Sequence, residues 1–170
     1  MDRPYESLIR KIVELPAPNL LALASDAEST LALLLLLDQI SRKIMRGSDA
    51  AWVYTTCDPV ALHVAHHSLR QQHDKDFPPH KKLWFCLVLC HSESLRDQEL
   101  AVAKTASLTH EIRSTLYNRW HSTFKEALDY AIKYYLTIDR FGRFPHRNEV
   151  LNRESTDDEK AYLETKRWNF

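Results

Sequence analysis

Glycine is nearly absent: Gly47 and Gly142 are the only two in 170 residues. So few positions suited to positive φ leave little room for hairpin turns or phosphate-cradling loops, which disfavours sheet-rich folds and P-loops. An excess of either charge is also absent, since 23 Lys and Arg balance 23 Asp and Glu. No summed field draws the chain onto nucleic acid, so any polyanion site must be local. Cysteine is scarce: Cys57, Cys86 and Cys90 sit beside apolar residues with no pairing pattern, which points to reduced thiols and a cytoplasmic setting. The opening MDRPYESLIRKIVELPAPN is charged throughout and lacks the apolar centre and small-residue cleavage site of a signal peptide. The apolar run from Leu31 to Leu37 stops at Asp38, far short of the roughly 20 residues that span a bilayer. No membrane partner is expected.

What is present is helical periodicity. A chain of 170 residues suits one domain, residues 1–170. Ser25 or Asp26 can cap a helix running through Leu31 to Met45, with Gly47 as its stop. Asp58-Pro59 reads as a cap and first-turn proline before Leu62, Ala65, His66 and Leu69 recur at helical spacing. Pro78-Pro79 breaks that helix, and Leu83, Trp84, Leu87, Val88 and His91 mark the next one, up to a turn at Ser92. Leu95, Gln98, Val102, Ala106 and Ile112 form one stripe and Phe124, Leu128, Ile132, Tyr135 and Ile138 another, which suits two antiparallel helices. Ser155-Thr156 followed by Asp157, Asp158 and Glu159 reads as a capped last helix with acids in its first turn.

Three polar segments interrupt the apolar pattern. In DQISRKIMRG, Asp38, Arg42 and Arg46 are spaced by four and share a helix face. They form either a charged strip for a ligand or a ladder of ion pairs. In HSESLRDQE, His91, Ser92, Glu93 and Gln98 crowd where one helix ends and another begins. No GxSxG elbow accompanies them, so the serines can equally be caps. In RFGRFPHRN, the bases Arg140, Arg143 and Arg147 alternate with Phe141 and Phe144 beside His146 and Asn148. Such a loop can grip an anionic or planar partner, or keep its rings in the core while its arginines pair with Asp38, Glu93 or Glu99. His63 and His67 lie one turn apart, but no HExxH frame surrounds them, and neither a metal nor another cofactor is expected.

Taken together, LLLLLDQISRKIMRG, HSESLRDQE, RFGRFPHRN and the trailing LNREST resemble the signature of the domain of unknown function 924 family from about Leu33 onwards. The resemblance implies an all-α fold of antiparallel hairpins stacked as a tetratricopeptide-like superhelix. Three departures stand out: the aromatic FWF segment with which members usually begin is not found, Tyr134 replaces a histidine, and Asn152 replaces the glycine of the LGR-ST tail.

The helical core is also similar to that of the fungal arginine-containing cyclodipeptide synthases, which draw arginine and a second amino acid from aminoacyl-tRNAs and release a diketopiperazine. That resemblance implies an aminoacyl-tRNA partner and one pocket formed by Asp38, Glu93 and the Arg140 to Asn148 loop. Asp38 and Glu93 would hold a substrate guanidinium by paired hydrogen bonds. Arg42, Arg46, Arg140, Arg143 and Arg147 would face ester, phosphate or ribose groups, with Gln39, Gln98 and Asn148 completing the polar lining. His91 or His146 would move the proton of the attacking amine, and Ser92 is the hydroxyl best placed for an acyl-enzyme. The competing expectations are a non-catalytic helical binding module in which these residues form a structural network, and an enzyme acting on a small anionic metabolite.

Overall fold

Apolar residues recurring every three or four positions, with almost no glycine to interrupt them, fold as helices in every regular element of the computed structural model, which describes residues 3–114 and 118–165. The backbone contacts group into two compact units, Met1–Leu89 and Cys90–Phe170.

The first unit contains α1 (Arg3–Val13), α2 (Ala17–Leu23), α3 (Ala27–Leu34), α4 (Ser41–Ile44), α5 (Ala50–Trp52), α6 (Asp58–Arg70) and most of α7 (Pro79–Cys90). Asp26 starts α3 with a capping box, its Oδ1 accepting the Ser29 N–H at 2.9 Å while the Asp26 N–H donates to Ser29 Oγ at 3.2 Å. The helix expected to run unbroken to Met45 instead widens into a π-helical segment at Leu35–Ile40 between α3 and α4. A second π segment, Val53–Cys57, joins α5 to α6. It overturns the reading of Asp58 as a cap, because the helix already runs through Cys57 in right-handed geometry, and the Asp58 carboxylate turns to Arg42 instead. The core of this unit gathers Ile9, Leu34, Leu37, Val53, Val64 and Phe85, all essentially buried.

In the second unit, α8 (Leu95–Glu111) and α9 (His121–Phe141) pack along one another as the expected hairpin, and Thr109 Oγ1 donates to the Phe124 carbonyl at 3.2 Å. Both buried stripes are rotated from expectation. Gln98, Ala101, Thr105, Leu108 and Ile112 are buried on α8 while Leu95 is exposed. On α9 the buried residues Phe124, Ala131 and Ile138 exclude Ile132, which is exposed. Eight residues of α-helix turn about 80° past a whole number of turns, enough to swing Ile132 away from Phe124. Gly142 ends α9 at φ +70 and its N–H returns to the Ile138 carbonyl at 2.8 Å, a left-handed stop that glycine takes without strain. The chain then passes through a 3₁₀ turn, Pro145–Arg147, and reaches α10 (Asp157–Glu164).

Among the described residues no single helix is long and apolar enough to cross a membrane. Leu37 is fully buried, so Leu37→Ala should cost about 2–5 kcal/mol in urea unfolding; an unchanged midpoint would show that the side chain is not part of the core.

Candidate functional site

The second unit gathers two of the three polar segments. Past Gly142 the chain buries Phe144 completely, and its backbone is held from both sides. The Phe144 N–H donates to Glu93 Oε1 at 2.8 Å, and its carbonyl accepts from Arg153 Nη2 at 3.1 Å. Arg153 closes the ring with two bonds to Glu93, at 2.7 Å and 3.0 Å. Burial pushes the Glu93 carboxyl up, but the Arg153 hydrogen bonds and the Phe144 N–H outweigh it and hold the group below its ordinary value.

Arg147, also buried, donates through Nη2 to the His91 carbonyl at 3.0 Å and lies over the Phe144 ring at 4.6 Å. Tyr134 stands edge-on to both His91, at 6.0 Å, and Phe144, at 5.4 Å. His146 packs 5.4 Å from the Phe144 ring. Burial, reinforced by the charge of Arg147, lowers the His146 imidazole to about 4. At pH 7 it is therefore neutral and a weak base, far from the near-neutral pKa that favours a proton shuttle.

A second clamp centres on Glu159, which is 2% exposed. Its carboxylate accepts the Thr156 N–H at 2.8 Å, completing a capping box in which Thr156 Oγ1 accepts the Glu159 N–H at 3.2 Å. Arg143 then grips it bidentately through Nε at 2.7 Å and Nη2 at 2.8 Å, and Asn148 Nδ2 donates at 3.2 Å. Arg143 also reaches the Glu154 carbonyl at 2.8 Å, and Asn148 reaches Ser155 Oγ at 3.0 Å. The Arg143 hydrogen bonds, more than anything else, lower the Glu159 carboxyl to about 2.

At the start of α8, Ser94 occupies the cap position without a side-chain bond. Ser92 does the work instead, accepting the Ser94 N–H at 3.1 Å and donating to Asp97 Oδ2 at 2.6 Å. Its hydroxyl is thus committed to a carboxylate rather than to a neighbouring histidine. Gln98 is buried and donates to the carbonyls of Cys90, at 2.8 Å, and Ser92, at 2.6 Å, fastening the end of α7 to α8.

The remaining polar segment is built into the first unit. Arg42 lies between two buried acids, Asp38 at 3.2 Å and Asp58 at 2.5 Å, with Tyr54 5.6 Å from its guanidinium. The two acids come from the two widened π regions: Asp38 lies within one and Asp58 follows the other. Burial disfavours the Arg42 charge, and the two acids outweigh it, raising its pKa. Gln39 donates to Asp38 Oδ2 at 2.5 Å. Arg42, Arg46, Gly47, Val53 and Tyr54 line an opening of about 370 Å³.

The structure therefore gathers His91, Glu93, His146 and Arg147 around Phe144, and Arg143 and Asn148 around Glu159, in the second unit. Arg140 lies on its exposed margin, paired with Asp158 at 2.5 Å, and Asp38, Gln39, Arg42 and Arg46 belong to the first unit. Four participants escaped the sequence reading of the site: Asp58, Tyr134, Arg153 and Glu159. A signal existed for two of them, since Arg153 lies in the LNREST tail and Glu159 stands three residues after Thr156, the spacing of a capping box.

The family model described as bacterial protein of unknown function (DUF924) matches residues 2–167. A solved structure of a protein of unknown function from Agrobacterium tumefaciens is 32% identical, with a TM-score of 0.71, over 96% of this chain and 78% of the other. No curated protein matches.

Two outcomes follow from the clamps. Removing Arg42 takes the shared counter-ion from two buried acids, whereas removing Asp38 leaves Arg42 paired with Asp58, so Arg42→Met should cost about 3–5 kcal/mol and Asp38→Asn clearly less. The reverse order in urea unfolding would contradict this arrangement. For Glu159, a folded pKa of about 2 against an ordinary 4.5 means its stabilisation is complete above pH 4.5 and is lost as pH falls towards 2. Glu159→Gln should flatten the stability profile in that window; an unaltered profile would show that its ion pair with Arg143 is not formed.

Proposed function

This chain belongs to the DUF924 family, and we propose that it is a helical binding module whose polar signature holds the fold together rather than carrying out a reaction. One observation supports this reading above others. Three polar side chains of RFGRFPHRN bond to protein partners where the chain turns: Arg143 and Asn148 to Glu159, and Arg147 to the His91 carbonyl. Glu93, the carboxylate of the neighbouring signature segment, holds Arg153 and the Phe144 backbone. With these geometries the signature fixes where helices end and loops turn, as a polar network can do without chemistry. The tetratricopeptide-like stacking implied by the family resemblance belongs to this proposal as well.

A second reading, the aminoacyl-tRNA-dependent cyclodipeptide synthase, draws support from Asp38 and Asp58. Two buried carboxylates already close on one guanidinium, that of Arg42, which is the chemistry an arginyl substrate would need. In that reading Arg42 yields its place to the substrate, and the activated ester supplies the driving force while the protein supplies positioning.

The two readings separate cleanly. Incubation with a pool of charged tRNAs should yield no cyclic dipeptide by mass spectrometry if the module reading holds, and an arginine-containing diketopiperazine would replace it with the synthase. Arg143→Ala should lower the urea midpoint, through the hydrogen bonds lost from Glu159; an Arg143→Ala protein of wild-type stability would remove the main support for a structural signature.

A further inference from the structure

One face of α9 stands apart from the clamps. Lys133, Leu136, Thr137, Arg140 and Phe141 recur at three- and four-residue spacing, and with Tyr162 of α10 they line an open groove of about 490 Å³, within the size range of small-ligand clefts. Its floor is firm. Thr137 Oγ1 and Tyr162 Oη lie 3.0 Å apart, and the Phe141 and Tyr162 rings pack at 5.0 Å. Leu136 is 55% exposed on its wall.

Among the described residues, the lining carries two cations and no carboxylate. Lys133 lies 5.1 Å from the Tyr130 ring, outside the groove lining, and Arg140 lies 4.8 Å from the Phe141 ring on its wall. Asp158 reaches Arg140 from α10 through two bonds, at 3.2 Å and 2.5 Å, and both partners are more than half exposed, so a ligand carboxylate enters this site by displacing Asp158 in open solvent. An apolar wall between two cations complements a molecule with one anionic end and one apolar body.

We propose that this groove binds a small aryl- or alkyl-carboxylate, its carboxylate between Lys133 and Arg140 and its body against Leu136, Phe141 and Tyr162. The assignment rests on the binding-module reading and names the ligand class for it. Specificity follows from charge: the same body carrying an ammonium group meets two cations and is rejected.

The test is a titration of isotope-labelled full-length protein with phenylbutyrate, followed by amide chemical shifts. Saturable shifts at Thr137, Phe141 and Tyr162 are expected, with phenylbutylamine giving none. Lys133→Glu and Leu136→Glu, both at exposed positions, should each weaken phenylbutyrate binding at least tenfold while leaving the rest of the spectrum unchanged. Equal binding of the amine, shifts that never saturate, or undiminished binding in both variants would overturn the proposal. So would a concentration-dependent dimer that Leu136→Glu dissociates, since the groove would then belong to a second copy of the chain. None of these outcomes alters the stability of Arg143→Ala, so failure of the groove and failure of the module reading remain distinguishable.

Discussion

The carboxylate of Glu159 is the point on which the second unit turns. As the third residue of α10 it completes the capping box with Thr156, and as a buried anion it must be neutralised where it stands. Arg143 and Asn148, from the loop after α9, meet that need. One side chain thereby starts a helix and fixes the loop that precedes it. With Arg143 held, Phe144 sits in the interior, and its backbone comes within reach of Glu93 and Arg153. The arginines of this loop are therefore counter-ions to the protein's own acids and donors to its carbonyls, and their spacing follows from the turns they secure.

The first unit solves a similar problem differently. Two acids, Asp38 and Asp58, are buried at widened helical turns and share the single guanidinium of Arg42. This arrangement leaves one negative charge in excess among those three groups, which makes Arg42 the member whose presence matters most. The departures from the family pattern also find physical explanations. Asn152 stands where a glycine is usual and adopts φ +51, a left-handed conformation that asparagine tolerates better than most residues. Tyr134 stands where a histidine is usual and packs its ring between His91 and Phe144.

Much of the fold was legible because helical signals are local. The Asp26 cap and the Thr156 capping box each depend on residues within four positions of one another. What was not legible depends on distance or on accumulated angle. Asp58 looked like a cap because the π turn before it leaves no pattern in composition, and its partner Arg42 lies 16 residues away. Ile132 looked buried because four-residue steps drift off a 3.6-residue period. At the candidate site the sequence offered its arginines and acids both a ligand-binding and a structural role. Nothing local distinguishes an arginine that awaits a ligand from one whose acid arrives 16 residues later, as Glu159 does for Arg143.

The claim that the family signature is a structural clamp is tested most directly by a double-mutant cycle between Arg143 and Glu159. Arg143→Met, Glu159→Gln and the double variant would be compared with the parent by urea unfolding at neutral pH. A bidentate pair on the buried Glu159 carboxylate predicts a favourable coupling energy, with the double variant much less destabilised than the sum of the two single changes. Additive effects, with no coupling, would contradict the account and release Arg143 for a ligand.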